Sequence, residues 1–569
     1  MTMRVTITTT VMGESGSLLT AGSTYTVGDQ FGQELVKSGR ATDTDNAMAV
    51  PQTELKPYLA TDSDGNVTGL GVPGGVVSAL PASTAGVVDL VVIGDSMTAN
   101  AGGNSTITSA TRTNNVVTLA ITGHVTGDGE LGNIYNMLDT SYNANGVVMT
   151  KVDANTLTYP SVGVNGSTTN LGASKTMQFQ RLNYQNDNAY LFWLQGKSGG
   201  AFRLRFNGGR NGQDSADMLA RYNSEVVVAN ASAQMVIIMT GYNDFVGAGF
   251  TADQVYANVT AMVRQTPGKI VVVVSAPPLS SSNGSATTAM KKEVMRYNRM
   301  IKAFCNSSVN VRYADAFKYT VDPTSTTGAA ASGMLGTDNI HYTPKGQERV
   351  AQAIWDAVQY AVPRPSRLVC SALDTITNDA AGKNIFGAMA FTASGGALAG
   401  SPIATGTVCA GLAVTNTSSG AGASACSMVA RADGIGNDLT VVFSPSVVGD
   451  SFTISTTGYL TTGVVVGEKA QLTCEVTLTG MAASASNSFL RSIEIYNQFN
   501  GSSSSGWTAK PQGTSATTYP NADMTLTIVS PEFTIPIGTT GIGLQMVFTS
   551  AVATGSLTVK VGRLSFDRL

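Results

Sequence analysis

The sequence predicts a three-layer α/β/α domain, with a parallel sheet and a β insertion, followed by an all-β sandwich. Three observations carry this expectation. Short, nearly continuous apolar runs recur between residues 87 and 313, and capped helical patterns alternate with them. Beyond Pro363-Arg364-Pro365 the helical pattern gives way to period-two alternation between Gly/Ser/Thr turns.

Residues 1–60 read as a small N-terminal module, with a β-like run over 4–10 and a short helix over 27–37 stopped by Gly39. Residues 61–85, rich in Gly, Ser and Pro and lacking an apolar period, are expected to be a linker. The first apolar run, 87–93, is followed by others at 202–206, 235–239, 270–274 and 309–313, the composition of strands buried on both faces. Helical patterns cover 215–222, 251–264, 287–304 and 344–360. Thr251 and Gln254 are spaced for a capping box, and Thr343 can cap a helix whose first turn holds Pro344. Strands alternating with helices imply parallel pairing. The alternation breaks over 104–180, a Thr/Asn/Gly-rich stretch with strands expected at 116–121 and 147–159 and no helix between them. It is taken as a β insertion inside a domain spanning 86–365. Over 366–569, Phe533/Ile535, Leu544/Met546/Phe548 and Leu557/Val559/Val561 alternate as in a sandwich, one that binds carbohydrate or holds subunits together.

A chain of 569 residues is too long for one hydrophobic core. Only 12% of residues are charged and the formal net charge is −3, so there is no basic field for phosphates and nucleic acid is not an expected partner. No run of ~18 apolar residues offers a membrane span, and the first residues lack the apolar core of a secretory signal. Five cysteines, Cys305, Cys370, Cys409, Cys426 and Cys474, are widely spaced without a CxxC pair and are expected to be buried free thiols.

The chemistry begins at Gly94-Asp95-Ser96-Met97, directly after the first apolar run. Ligands of open α/β sheets bind beyond the carboxyl ends of the strands, where this serine falls. A serine hydroxyl needs a base, usually histidine, and the chain has only 2 histidines. His124 lies in the polar insertion and is expected to be a solvated or turn residue. His341 lies in Asp338-Asn339-Ile340-His341-Tyr342-Thr343-Pro344, where a carboxylate three residues ahead can fold back onto Nδ1 and leave Nε2 for the serine. An acyl-transfer centre also needs donors for the oxyanion. Asn207-Gly208-Gly209-Arg210-Asn211-Gly212 and Gly241-Tyr242-Asn243-Asp244, each after a strand, supply glycine backbone and an Asn amide. Asp214 and Asp315 are expected to be helix-cap or strand-end residues and not part of the site.

These segments, GDS, NxGxxG, GxND and DxxH in order, resemble the conserved blocks of SGNH (GDSL-like) hydrolases over residues 86–362, less the insertion. The resemblance implies Ser96 as nucleophile with Asp338 and His341 completing a catalytic triad. It also implies an oxyanion hole from Ser96, Gly212 and Asn243, with Gly209 an alternative to Gly212. Asp95, Gly209, Tyr242 and Trp507 are further candidates to touch substrate. In the same C-terminal region Tyr496, Phe499 and Tyr519 either stack on sugar rings or pack the sandwich. No metal or organic cofactor is implied.

The N-terminal module, with its TYxV and LVxxGxA pattern, resembles a short module of bacteriophage structural proteins that attaches to the virion, and 111–159 resembles small β modules of phage tail proteins. Together the resemblances imply a carbohydrate O-acetyl esterase on a phage tail fibre or tailspike. It would be assembled in the host cytoplasm, would meet acetylated surface glycan and other tail proteins, and would form a homotrimer by analogy. The same residues would also serve a lipid or small-ester esterase, and an inert hydrolase fold in a receptor-binding tail protein is the non-enzymatic alternative.

Overall fold

The computed structural model describes residues 87–99, 104–362 and 391–568, apart from short internal stretches, together with the backbone of short strands between residues 2 and 76. Of the expected helix at 27–37, Val27 and Gly28 instead end the strand Thr24–Gly28 and the rest lies outside the described residues, as do the stretch 363–367 and Cys370.

Five strands form one sheet in the order Phe202–Gly209, Val88–Gly94, Met235–Met239, Ile270–Val274, Val311–Ala314, each parallel to its neighbour. Alternate side chains enter opposite cores, as the period of a strand requires. Leu90, Val92, Ile237 and Val272 share one, while Val91, Ile93, Val236 and Val273 share the other. The first core takes up the helices Tyr190–Ser198 and Pro344–Val358; the second takes up Ser215–Tyr222, Ala252–Arg264 and Thr288–Asn306. The caps form as the sequence implies: Thr251 with Gln254, Thr343 before Pro344, Asp214 at Ser215–Tyr222 and Asp315 at Ala316–Thr320. Register aligns Gly94 with Gly209 on one side and Met239 on the other, so three strands end level and their loops emerge side by side.

The helix Tyr190–Ser198 was not expected from the sequence. Ala189 at its N-cap offers no side-chain bond, and Tyr190, Leu191, Phe192, Trp193, Leu194, Gln195 and Gly196 are all buried, which erases the amphipathic period. The region expected as a linker also differs, because Tyr58–Thr61, Val67–Val72 and Gly75–Val76 pair as a three-stranded sheet. The signal lay in Asp64-Gly65 and Pro73-Gly74 between them, pairs that favour tight turns over open linker.

The insertion folds as two antiparallel sheets of four and five strands around its own core of Ile107, Val117, Leu119, Ile134 and Phe179. Its 147–159 run is broken into Ala144–Val148, Thr150–Lys151 and Thr156–Pro160, and Thr140–Tyr142 makes one 3-10 turn. Asn104–Thr106 pairs with Gln178–Arg181, so the chain leaves and re-enters the α/β part at one place.

C-terminal strands form sheets of six and seven strands whose inward residues, among them Phe443, Phe452, Phe548 and Phe566, share one core. Phe499 and Tyr519 are buried in it, and Tyr496 is buried outside it with its hydroxyl donating to Gln545 Oε1, which corrects the sugar-stacking alternative for these three rings. Trp507 lies on Ser502–Ala509 opposite Tyr496, and its side chain is outside the described residues. Cys305, Cys409, Cys426 and Cys474 are buried and free.

This region docks on the α/β part. Helix Tyr190–Ser198 lies against Met524–Val529, so closely that a Cβ on Gly196 would stand 2.8 Å from Leu526 Cδ2 and one on Gly200 2.6 Å from Val529 Cγ2. Trp193 meets Tyr519 edge-on at 6.0 Å between ring centroids. The Lys345 N–H donates to the Thr518 carbonyl at 3.1 Å, and its Nζ donates to the Ser486 carbonyl at 3.2 Å.

Candidate active site

At the end of Val88–Gly94 the chain turns into the four-residue helix Ser96–Ala99. Asp95 shapes that turn. Its Oδ1 accepts from the Met97 N–H at 2.9 Å, and its carbonyl accepts from Ala99 at 2.9 Å. Asp95 is only 2% exposed, and burial pushes its carboxyl up to about 6. It therefore faces the interior, which corrects the expectation that it touches substrate. Met97 packs in the core, and Ser96 is half-buried at the rim.

The second segment closes against this helix. Arg210 donates its N–H to the Gly94 carbonyl at 3.0 Å, and Asn207 donates Nδ2–H to the Thr98 carbonyl at 3.3 Å. The Gly209 N–H is spent on Asn207 Oδ1 at 2.9 Å, and a Cβ on Gly209 would stand 2.2 Å from the Ala99 nitrogen. Gly209 thus permits contact between strand and helix, a correction to its place among the substrate-touching candidates. Gly212 has φ +76, and among the described residues neither its N–H nor that of Ser96 has an acceptor.

In the third segment Gly241 has φ +138 and abuts Ala276, where a Cβ would meet the Ala276 Cβ at 2.5 Å. Tyr242 packs half-buried against both cores. Asn243 opens the π-type turn Asn243–Gly247 and donates Nδ2–H to the Gln213 carbonyl at 3.0 Å, the residue next to Gly212. Asp244 is fully buried; it accepts from the Ser215 N–H at 2.9 Å and from the Thr240 hydroxyl, and burial raises its carboxyl. Second and third segments are thereby tied together.

The fourth segment brings the imidazole. Asp338 Oδ1 accepts from the Ile340 N–H at 2.9 Å and the His341 N–H at 3.1 Å, while Oδ2 takes the His341 Nδ1 contact at 2.6 Å. Burial alone would raise the Asp338 carboxyl, but the His341 ring and these amides outweigh it and hold it below its ordinary value. Asn339 sits at φ 58, a left-handed conformation asparagine tolerates, and Oδ1 of its side chain accepts from Ser280 Oγ at 3.2 Å. His341 Nε2 lies 2.6 Å from Ser96 Oγ. With Nδ1 protonated toward Asp338, Nε2 is left to accept the hydroxyl proton, an arrangement that can generate an alkoxide-like nucleophile. Gln347, one turn into the last helix, bridges this segment to the first: Nε2 donates to the Met97 carbonyl at 3.4 Å, and Oε1 accepts from the Tyr190 N–H at 3.1 Å.

His124 is far from this constellation in sequence and, contrary to expectation, is buried; burial lowers its pKa. Among the described residues no group of His, Cys, Asp and Glu is arranged to hold a metal ion. No helix there is long and apolar enough to cross a membrane.

Residues 166–349 match the GDSL-like Lipase/Acylhydrolase family model. The chain carries a GDSL-like lipase/acylhydrolase domain. The match begins within the insertion and includes Gly212, Asn243, Asp338 and His341, whereas Ser96 precedes it. Among solved structures, the GDSL domain is similar to a lipase/acylhydrolase from Enterococcus faecalis, 14% identical, covering 49% of this chain and 99% of that one at a TM-score of 0.29. A GDSL-like lipase from Bacteroides thetaiotaomicron is 19% identical over 30% of this chain and 82% of its own, at a TM-score of 0.26. A carbohydrate esterase family 3 structure from Talaromyces cellulolyticus is 19% identical over 32% of this chain and 92% of its own, at a TM-score of 0.25. No curated protein sequence matches the chain.

Sequence reasoning missed Asn133, Asn136, Gln180 and Gln347, which hold backbone carbonyls around the site. No motif marks them, because their partners are distant main-chain groups.

Proposed function

We propose that the chain is a serine esterase that removes acetyl groups from carbohydrate. The observation that carries the reaction class is the continuous Ser96–His341–Asp338 contact, made by residues 245 apart in sequence, within a domain of the acylhydrolase family. Ser96 Oγ attacks the acyl carbon as its proton passes to His341 Nε2. The oxyanion is received by the N–H groups of Ser96 and Gly212 and by the Asn243 amide, each such donor worth roughly 3 kcal/mol. Collapse breaks the bond to the sugar oxygen, which leaves with the proton from His341. Water, deprotonated by the same imidazole, then releases acetate and restores Ser96.

Bacterial surface polysaccharide as the source of that ester, and a place on a phage tail as a homotrimer beside other tail proteins, rest on the resemblance of the N-terminal module and of 111–159 to phage structural modules. Acetate release from a panel of acetylated surface polysaccharides tests the substrate. Wild type should release it and Ser96→Ala should not; equal release by both would refute the enzyme reading. Faster turnover of long-chain than acetyl 4-nitrophenyl esters would instead favour a lipid substrate.

A further inference from the structure

The insertion is built into the floor of the site, and its residues fall on the segment that carries Gly212. Asn136, just past the strand Leu131–Tyr135, is 1% exposed with φ 62. Its Nδ2 donates to the Asn211 carbonyl at 3.0 Å and to the Thr176 carbonyl at 3.2 Å, while its Oδ1 accepts from Gln213 Nε2 at 3.2 Å. The side chain therefore grips both neighbours of Gly212. The Asn211 carbonyl and the Gly212 N–H belong to one planar peptide unit and point in opposite directions. A donor fixed on that carbonyl sets the direction of the N–H, and polarising the unit strengthens it as a donor.

Further bonds extend the support. Asn133 Nδ2 donates to the Asn207 carbonyl at 3.2 Å and to Gln180 Oε1 at 3.0 Å, and Gln180 Nε2 donates to the Ala99 carbonyl at 3.2 Å, at the end of the Ser96 helix. On the opposite side Arg221 holds Gln213 Oε1 at 2.8 Å and the Gly208 carbonyl at 2.6 Å.

We propose that the β insertion is a working part of the hydrolase, and that Asn136 is a positioning residue that aims the Gly212 N–H at the oxyanion. This rests on the esterase reading above. Asn136→Asp keeps size and tolerance of the left-handed backbone but replaces both donors with a carboxylate oxygen facing two carbonyls. With 4-nitrophenyl acetate, kcat should fall on the order of 10- to 10²-fold while KM stays within about twofold, the split expected for an interaction made mainly in the transition state. Hydrogen exchange of amides in 207–214 should accelerate in the same variant. Should that variant fail to fold, Asn136→Gly makes the same test, since glycine tolerates the left-handed backbone and withdraws the donor to the Asn211 carbonyl. Wild-type kcat together with wild-type exchange in a folded variant overturns the proposal. If wild type itself shows no Ser96-dependent turnover, the esterase reading fails, and the exchange rates alone decide whether Asn136 holds the loop.

Discussion

Replacing Gly209 with alanine tests how tightly Ser96 is placed. The added Cβ would stand 2.2 Å from the Ala99 nitrogen, 2.5 Å from the Thr98 carbonyl carbon and 2.6 Å from the Ala99 Cα, all backbone of the Ser96 helix. Ordinary contact begins at 3.4 Å, so strand and helix must separate by about 1.2 Å. The strand cannot yield alone, because its end is paired with Gly94, whose carbonyl also accepts the Arg210 N–H. The helix moves, and with it Ser96, whose Oγ stands 2.6 Å from His341 Nε2. A misplacement of about 1 Å costs about 10²-fold in rate, close to 3 kcal/mol of barrier. The expected result is a loss of that size in kcat/KM for 4-nitrophenyl acetate, with slower fluorophosphonate labelling of Ser96. Gly458→Ala, where a Cβ meets nothing within 4 Å, is the control and should stay at wild type. A Gly209→Ala protein with wild-type rate and labelling would refute the claim that this contact sets the position of Ser96.

Three further outcomes follow from the same geometry. Asp338→Asn should cut kcat by about 10³- to 10⁴-fold with the fold retained, since the amide cannot hold Nδ1 as donor and leaves the wrong tautomer; pre-steady-state acylation rates check it. Asp95→Asn should stabilise the protein above pH 7. The folded carboxyl is raised from 3.8 to about 6, so the native state binds the proton more tightly and stability falls as pH rises through that window. Removing the charge should recover up to about 3 kcal/mol at pH 8 and almost nothing at pH 4, read from urea midpoints at both pH values. Labelling by a fluorophosphonate probe should vanish in Ser96→Ala and nowhere else among the chain's serines, as mass spectrometry of the adduct would show.

Much of the sheet is legible because its strands are buried on both faces: a run such as Ile270–Val274 has no other explanation at that length. The capped helices are legible because Thr251, Thr343 and their partners are local chemistry. The segments of Ser96, Asp338 and His341 are legible because glycine, serine and histidine at strand ends carry chemical meaning even when the touching atoms lie far apart in sequence. Helix Tyr190–Ser198 is opaque for the opposite reason, since contact with both the α/β core and Met524–Val529 makes it apolar all round. The roles of Asn136 and Gln180 are equally hidden: an amide bonding a carbonyl about 80 positions away leaves no pattern to read. Gly209 and Gly212 look alike in sequence, and the Asn207 bond and Ala99 contact of the first and the positive φ of the second tell them apart.

The docking of the C-terminal strands gives the molecule a shared keel. The segment at 515–518 accepts the Lys345 amide from the same loop and helix start that present His341, and Leu526 fills the notch left by Gly196. A chain cut after residue 362 would bare Trp193 to water and unmoor that loop, so the sandwich cannot be discarded as a passenger. Exchange of this module between related proteins would have to transplant the face of Tyr190–Ser198 along with it, or bring a strand that seats in the same notch.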